Sequence, residues 1–153
     1  MIRNARQYRI TQAQAAKLAQ ALVQVTTGAS ASTLHPRLLQ AEREALASQL
    51  ADLREQLAEY EALRTRKRPV LRLKSFDELP RVLIQARIAA GLSQKELAHK
   101  LVLKEQQVQR YEATDYASAS LARVSAVMRA LGLTVHEEMV LSHPISKGET
   151  QLA

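Results

Sequence analysis

The 26 residues Arg87–Glu112, RIAAGLSQKELAHKLVLKEQQVQRYE, decide the fold of this 153-residue chain. Gly91 is a natural helix stop. Ser93 and Glu96 follow with capping-box spacing and open a short helix, Gln94–Leu101, whose Leu97, Ala98 and Leu101 face inward. After Val102–Leu103 a second short helix is expected from about Lys104 to Glu112, anchored by Val108 and Tyr111. Outward from this pair, Val82, Leu83, Ala86 and Ala89–Ala90 give an apolar stripe on a helix starting near Arg81. Downstream, Ser120–Leu131 reads as a fourth helix ending at Gly132, with Leu121, Val124, Val127, Met128 and Leu131 inward. Short helices closed by caps at such intervals predict a compact α-helical domain over residues 75–141.

The upstream segment has a different pattern. Thr11 and Gln14 have capping-box spacing and are expected to open a first helix, with Ala15, Leu18, Leu22 and Val25 on one stripe. Thr26–Leu34 is small and polar, a loop, and Pro36 suits the first position of a second helix. There Leu39, Leu46, Leu50, Leu53, Leu57 and Tyr60 keep a heptad register, broken by Arg43 at one seam position. So narrow a seam fits a coiled coil, and the reading is an antiparallel hairpin over residues 1–64 that dimerises or holds a partner. One long solvated helix is the plainer alternative. Residues 65–74 (TRKRPVLRLK) form a basic hinge in which Val70, Leu71 and Leu73 suit a short strand. Residues 133–141 suit either a fifth helix or a strand, and 142–153 a flexible tail. The fold class is therefore mostly α, with room for a small β element.

Charge narrows the function classes. The chain has 22 Lys and Arg against 15 Asp and Glu, a net +7 and a pI near 10.1. Residues 1–68 carry 11 basic and 6 acidic side chains, net +5, clustered in Arg3, Arg6, Arg9 and in Arg64, Arg66, Lys67, Arg68. Clustered positive charge points toward nucleic acid. The absence of Cys excludes a disulfide scaffold, a thiolate zinc site and a cysteine nucleophile, and it suits a reducing cytoplasm. No apolar run approaches the ~18 residues of a membrane span, and no signal-like apolar block opens the chain. His35, His99, His136 and His143 lack metal-ligand spacing, no phosphate loop or nucleophile elbow is present, and the lone acidic pair Glu137–Glu138 reads as solvated rather than catalytic. Neither an enzyme nor a cofactor or metal site is expected.

The same residues carry a family resemblance. L-S-Q-x-x-L-A-x-x-L, a turn, then x-x-x-V-x-x-Y-E resembles the Xre/Cro-type helix-turn-helix family of phage repressors, regulators and antitoxins, over about residues 80–132. A two-turn helix held at an angle by its predecessor can present its N-terminal face to the major groove. Gln then pairs with adenine N6/N7 and Arg with guanine O6/N7. The resemblance puts base reading on Glu105, Gln106 and Arg110, with Lys104 and Gln109 at the margin. Glu105 either accepts from cytosine N4 or simply favours the positive helix end.

Phosphate-backbone contacts, by the same resemblance, fall on Gln94, with Ser93, Lys95 and Lys100 beside it and Tyr116 and Ser118 after the reading helix. Ser93 is in any case a cap. Arg87 and Glu112 align with a buried ion pair of the family. Two departures stand out: the turn has Val102 where relatives have Gly, and the second cap is Lys104 rather than Ser or Thr. A β-branched residue is poorly suited to positive φ, so the turn is expected to be rebuilt. The implied partners are an operator duplex, a second copy of the chain and a cognate toxin, as in autoregulated toxin–antitoxin operons. The rival reading is a coiled-coil interaction module with a degenerate helix-turn-helix.

Overall fold

A computed structural model describes residues 1–27, 35–65, 71, 73 and 75–135. These form α1 (Ala5–Thr26), α2 (Pro36–Thr65), a single 3-10 turn at Phe76–Glu78, then α3 (Leu79–Ala89), α4 (Gln94–Lys100), α5 (Glu105–Ala113) and α6 (Leu121–Ala130). The fold is mostly α, with no strand among the described residues. Leu71, Leu73 and residues 133–135 have no regular structure, and the rest of both segments read as strands lies outside the described residues.

α1 begins six residues before Thr11. Asn4 has the same spacing to Gln7 that Thr11 has to Gln14, and Asn4 is the cap that forms: its side chain accepts from the Gln7 N–H at 2.9 Å. Gln7 Oε1 in turn accepts from the Arg3 N–H at 2.8 Å. Thr11 therefore lies inside a helix already nucleated upstream. The earlier cap has tertiary support as well, because Ile2 just ahead of it is buried in the core.

α2 returns antiparallel to α1. Tyr8 stacks on Tyr60 with ring centroids 5.1 Å apart, and its hydroxyl donates to Glu61. At the other end Leu22 and Val25 face Pro36, Leu39 and Arg43. Within this hairpin only Ala15 of α1 and Leu50, Tyr60 and Leu63 of α2 are buried. Leu39, Leu46, Leu53 and Leu57 of the heptad row stay partly exposed.

The C-terminal helices pack differently. Leu83 and Ile84 of α3, Leu97 of α4, Val108 of α5 and Val127 of α6 meet in one cluster, joined by Tyr116 and, from the foot of the hairpin, by Ile2, Tyr60 and Leu63. Leu121, read as inward, is 70% exposed, because it is the first residue after the Ser120 cap and points off the end of the bundle.

The turn between α4 and α5 is not rebuilt. Val102 takes φ +54° and is 92% exposed. Its N–H donates to His99 O at 3.2 Å, and the Leu103 N–H donates to Ala98 O at 2.9 Å. This is the hydrogen-bond pattern of a left-handed helix cap. Gly91 (φ +71°) ends α3 in the same way, with Leu92 N–H donating to Arg87 O at 3.0 Å. With the side chain in open solvent, Val102 bears only the backbone cost of positive φ.

Candidate nucleic-acid interface

The geometry of α4 and α5 starts from a buried charge. Glu112, 0% exposed, accepts from Arg87 Nε at 2.5 Å and from Arg87 Nη2 at 2.9 Å. A third donor is Gln94 Nε2 at 2.8 Å. Arg87 spends its remaining reach on Leu92 O (2.7 Å) and Arg3 O (2.6 Å). α3, the α3–α4 turn, α4, α5 and the segment ahead of α1 thus meet at one ion pair. Buried charges persist only when paired and hydrogen-bonded, and no buried side-chain polar atom among the described residues lacks a partner.

Two residues that the resemblance assigns to the phosphate backbone are turned inward by this packing. Gln94 is 8% exposed; its amide nitrogen is held by Glu112 and its amide oxygen lies 3.5 Å from Asn4 Nδ2. The side chain fastens the inside of the domain, with one N–H of its amide committed to Glu112. Tyr116 is 5% exposed, in a left-handed turn (φ +57°) that folds it back against Tyr111, centroids 6.0 Å apart. Burial pushes its phenol far above the usual tyrosine range, with the Glu112 charge adding to the shift. It is a core residue.

Ser93, Lys95, Lys100 and Ser118 are exposed. The Ser93 hydroxyl accepts from the Glu96 N–H at 3.1 Å, while Glu96 Oε2 accepts from Ser93 N–H and Oγ at 2.7 Å each. These bonds hold the Glu96 carboxyl below its ordinary value, the backbone donor contributing most and the hydroxyl next. α5 has no side-chain cap from Lys104, which cannot accept; the Lys104 N–H instead donates to Gln107 Oε1 at 3.1 Å.

The helical wheel of α5 divides its polar residues. Val108 and Glu112 are buried and Tyr111 half-buried, so the outermost positions on the opposite side are Gln106 and Arg110, one turn apart and both exposed. Glu105 and Gln109 form a separate flank, where Gln109 Nε2 donates to Glu105 Oε1 at 3.0 Å. This flank lines a cleft of about 880 Å³ whose other walls include Ser93, Glu96, Arg6 and Arg64.

One part of the site was not read from the sequence. Arg3 donates to Glu112 O at the end of α5 and pairs with Asp115 at 3.0 Å, so the hairpin's foot is tied to the C-terminus of that helix. The clustered N-terminal arginines were visible, but a contact across 109 residues of sequence carries no local signal.

Residues 83–137 match the family model described as Helix-turn-helix. A capped short helix, a left-handed turn and a second short helix with exposed outer side chains give this segment the helix-turn-helix arrangement that the family model describes, in keeping with the resemblance to the Xre/Cro type. No curated protein and no solved structure matches the chain. Among the described residues no helix is long and apolar enough to cross a membrane, and no group of acidic or histidine side chains is placed to hold a metal.

Proposed function

We propose that this chain is a sequence-specific transcription regulator, a repressor that occupies its operator as a homodimer and acts as the antitoxin of an operon it controls itself. The observation that carries the DNA reading is the exposed Gln106–Arg110 face of α5. Its amide and guanidinium suit adenine and guanine respectively. Lys104 borders this face, Lys95, Lys100, Ser93 and Ser118 suit the flanking phosphates, and Glu105 and Gln109 lie at the margin. The partly covered leucine row of α2 supports pairing of two copies through the hairpin. The antitoxin role rests on the layout alone, a helical module joined to an Xre-type domain.

The rival reading, a coiled-coil interaction module with a degenerate helix-turn-helix, draws on Glu105 and on the net +2 of residues 69–153. The well-formed turn at Val102 speaks against decay. Gel shifts on the duplex upstream of the gene and on a shuffled duplex separate the two. A regulator prefers the upstream duplex, and Gln106→Ala costs it ~1–3 kcal/mol there with relaxed base preference. Binding that is weak and indifferent to sequence would favour the rival, and discrimination that survives Gln106→Ala would remove α5 as the reader. Growth arrest by a neighbouring gene's product, relieved by this protein, is the expected result for the antitoxin role.

A further inference from the structure

We infer that the foot of the helical hairpin is part of the DNA-binding surface: Arg6 of α1 and Arg64 of α2 grip the phosphate strand that runs past the Glu105–Gln109 flank of α5. The inference rests on the reading of α5 as the groove-entering helix.

A helix with its side chains is ~10–12 Å across, and the major groove is ≈ 12 Å wide. A helix seated there fills it, and the two phosphate strands bordering the groove must pass along its two flanks. On the flank carrying Glu105 and Gln109 the space beside α5 is the 880 Å³ cleft. Its far wall is the hairpin foot, where Arg6 and Arg64 are exposed. Neither makes a hydrogen bond or ion pair with any described residue, whereas the other two arginines lining the cleft, Arg3 and Arg87, are committed to Asp115 and Glu112.

The carboxylates of the cleft are committed too. Glu96 is held by Ser93, and Glu105 accepts from Gln109. Both keep their negative charge, but their oxygens are engaged at the α4 cap and on α5, and the guanidinium groups left free to donate are those of Arg6 and Arg64 on the opposite wall. The foot is held in place by the buried Ile2 and Tyr60 and by the bonds of Arg3 and Asn4 to α5, Arg87 and Gln94, so the two guanidinium groups are carried on a fixed wall. Such contacts add affinity without sequence preference.

The full-length double variant Arg6→Gln/Arg64→Gln tests this, measured against the upstream duplex and a shuffled duplex from 50 to 200 mM salt. Each phosphate contact contributes about 0.9 to the log–log salt slope, so the variant's slope should be shallower by about 1.8 on both duplexes. The wild type then loses roughly 12-fold more affinity than the variant across that fourfold salt range. The preference for one duplex over the other should not change, nor should the urea midpoint, since both side chains are exposed and unbonded. An unchanged slope, or tighter binding by the variant because the foot obstructs DNA, overturns the inference while leaving the regulator reading intact. A wild type that binds neither duplex at 50 mM removes both.

Discussion

Of the 22 residues of α1 only Ala15 is buried, whereas α3, at 11 residues, buries six side chains. α2 repeats the contrast within itself: two of its three buried residues, Tyr60 and Leu63, lie in its last two turns against the C-terminal helices. The hairpin is thus embedded at its foot and thinly covered along its shaft. The C-terminal helices, by contrast, bury most of the shared core, and the hairpin adds only Ile2, Tyr60 and Leu63 from its foot. Single-residue damage should therefore be severe in the domain and mild in the shaft, and changes confined to the shaft should register in association rather than in folding.

The largest expected effect tests that contrast directly. Glu112→Gln leaves the Arg87 guanidinium, 2% exposed, without its counter-charge. Removing one member of a buried ion pair costs ~3–5 kcal/mol, to be read from the urea midpoint. Leu53→Ala in the shaft gives up only part of the ~1.5–3 kcal/mol of a fully buried leucine, so about 1 kcal/mol is expected. Equal losses from the two variants would mean that shaft and domain are stabilised alike, and the comparison would fail.

A smaller effect is expected at the α4 cap, where the domain's stability meets pH. Ser93→Ala removes the hydroxyl that accepts from the Glu96 N–H. Loss of such a cap costs ~0.5–2 kcal/mol. The Glu96 carboxyl has its pKa lowered in the folded protein, so its contribution is present above the ordinary carboxylate range and fades as pH falls through the depressed value. Wild-type stability should therefore drop in that acid window. Because the larger cause is the Ser93 backbone N–H, which the variant keeps, the drop should shrink in Ser93→Ala without vanishing. An identical acid profile would deny the hydroxyl any part in it.

What could be read in the sequence followed the same division. Helices α4 and α6 were legible to within a residue or two because Gly91, Ser93, Ser120 and Gly132 are local signals that act where they stand, and α5 through the spacing of Val108 and Tyr111. The start of α1 was misplaced because two cap spacings compete there, and the burial of Ile2 that favours Asn4 is tertiary. The burial of Gln94 and Tyr116 was hidden for the same reason. Pattern alone does not say whether a polar side chain turns outward to a phosphate or inward to Glu112. The resemblance puts base reading on Glu105, Gln106 and Arg110 with Lys104 and Gln109 at the margin, and the orientation of α5 sets Glu105 on the flank beside Gln109.

The smallest expected effect is at Val102, and it separates local strain from assembly of the site. Gly91 and Val102 hold equivalent left-handed caps, at φ +71° and +54°, at the ends of α3 and α4. A Cβ at Gly91 would meet nothing within 4 Å, so the two positions differ in backbone cost and not in packing. Left-handed backbone costs an L-residue roughly 1–2 kcal/mol, while a glycine gains about 0.5–1 kcal/mol of freedom in the unfolded chain. Val102→Gly should accordingly stabilise by about 0.5–1 kcal/mol, roughly 1–4 °C in Tm, and Gly91→Val should destabilise by a similar amount. DNA affinity of Val102→Gly should stay at the wild-type level, because the turn's bonds to His99 and Ala98 are already made. A variant that gained DNA affinity along with stability would mean that the valine holds α5 away from its working angle, and the departure at this turn would then belong to regulation rather than to strain.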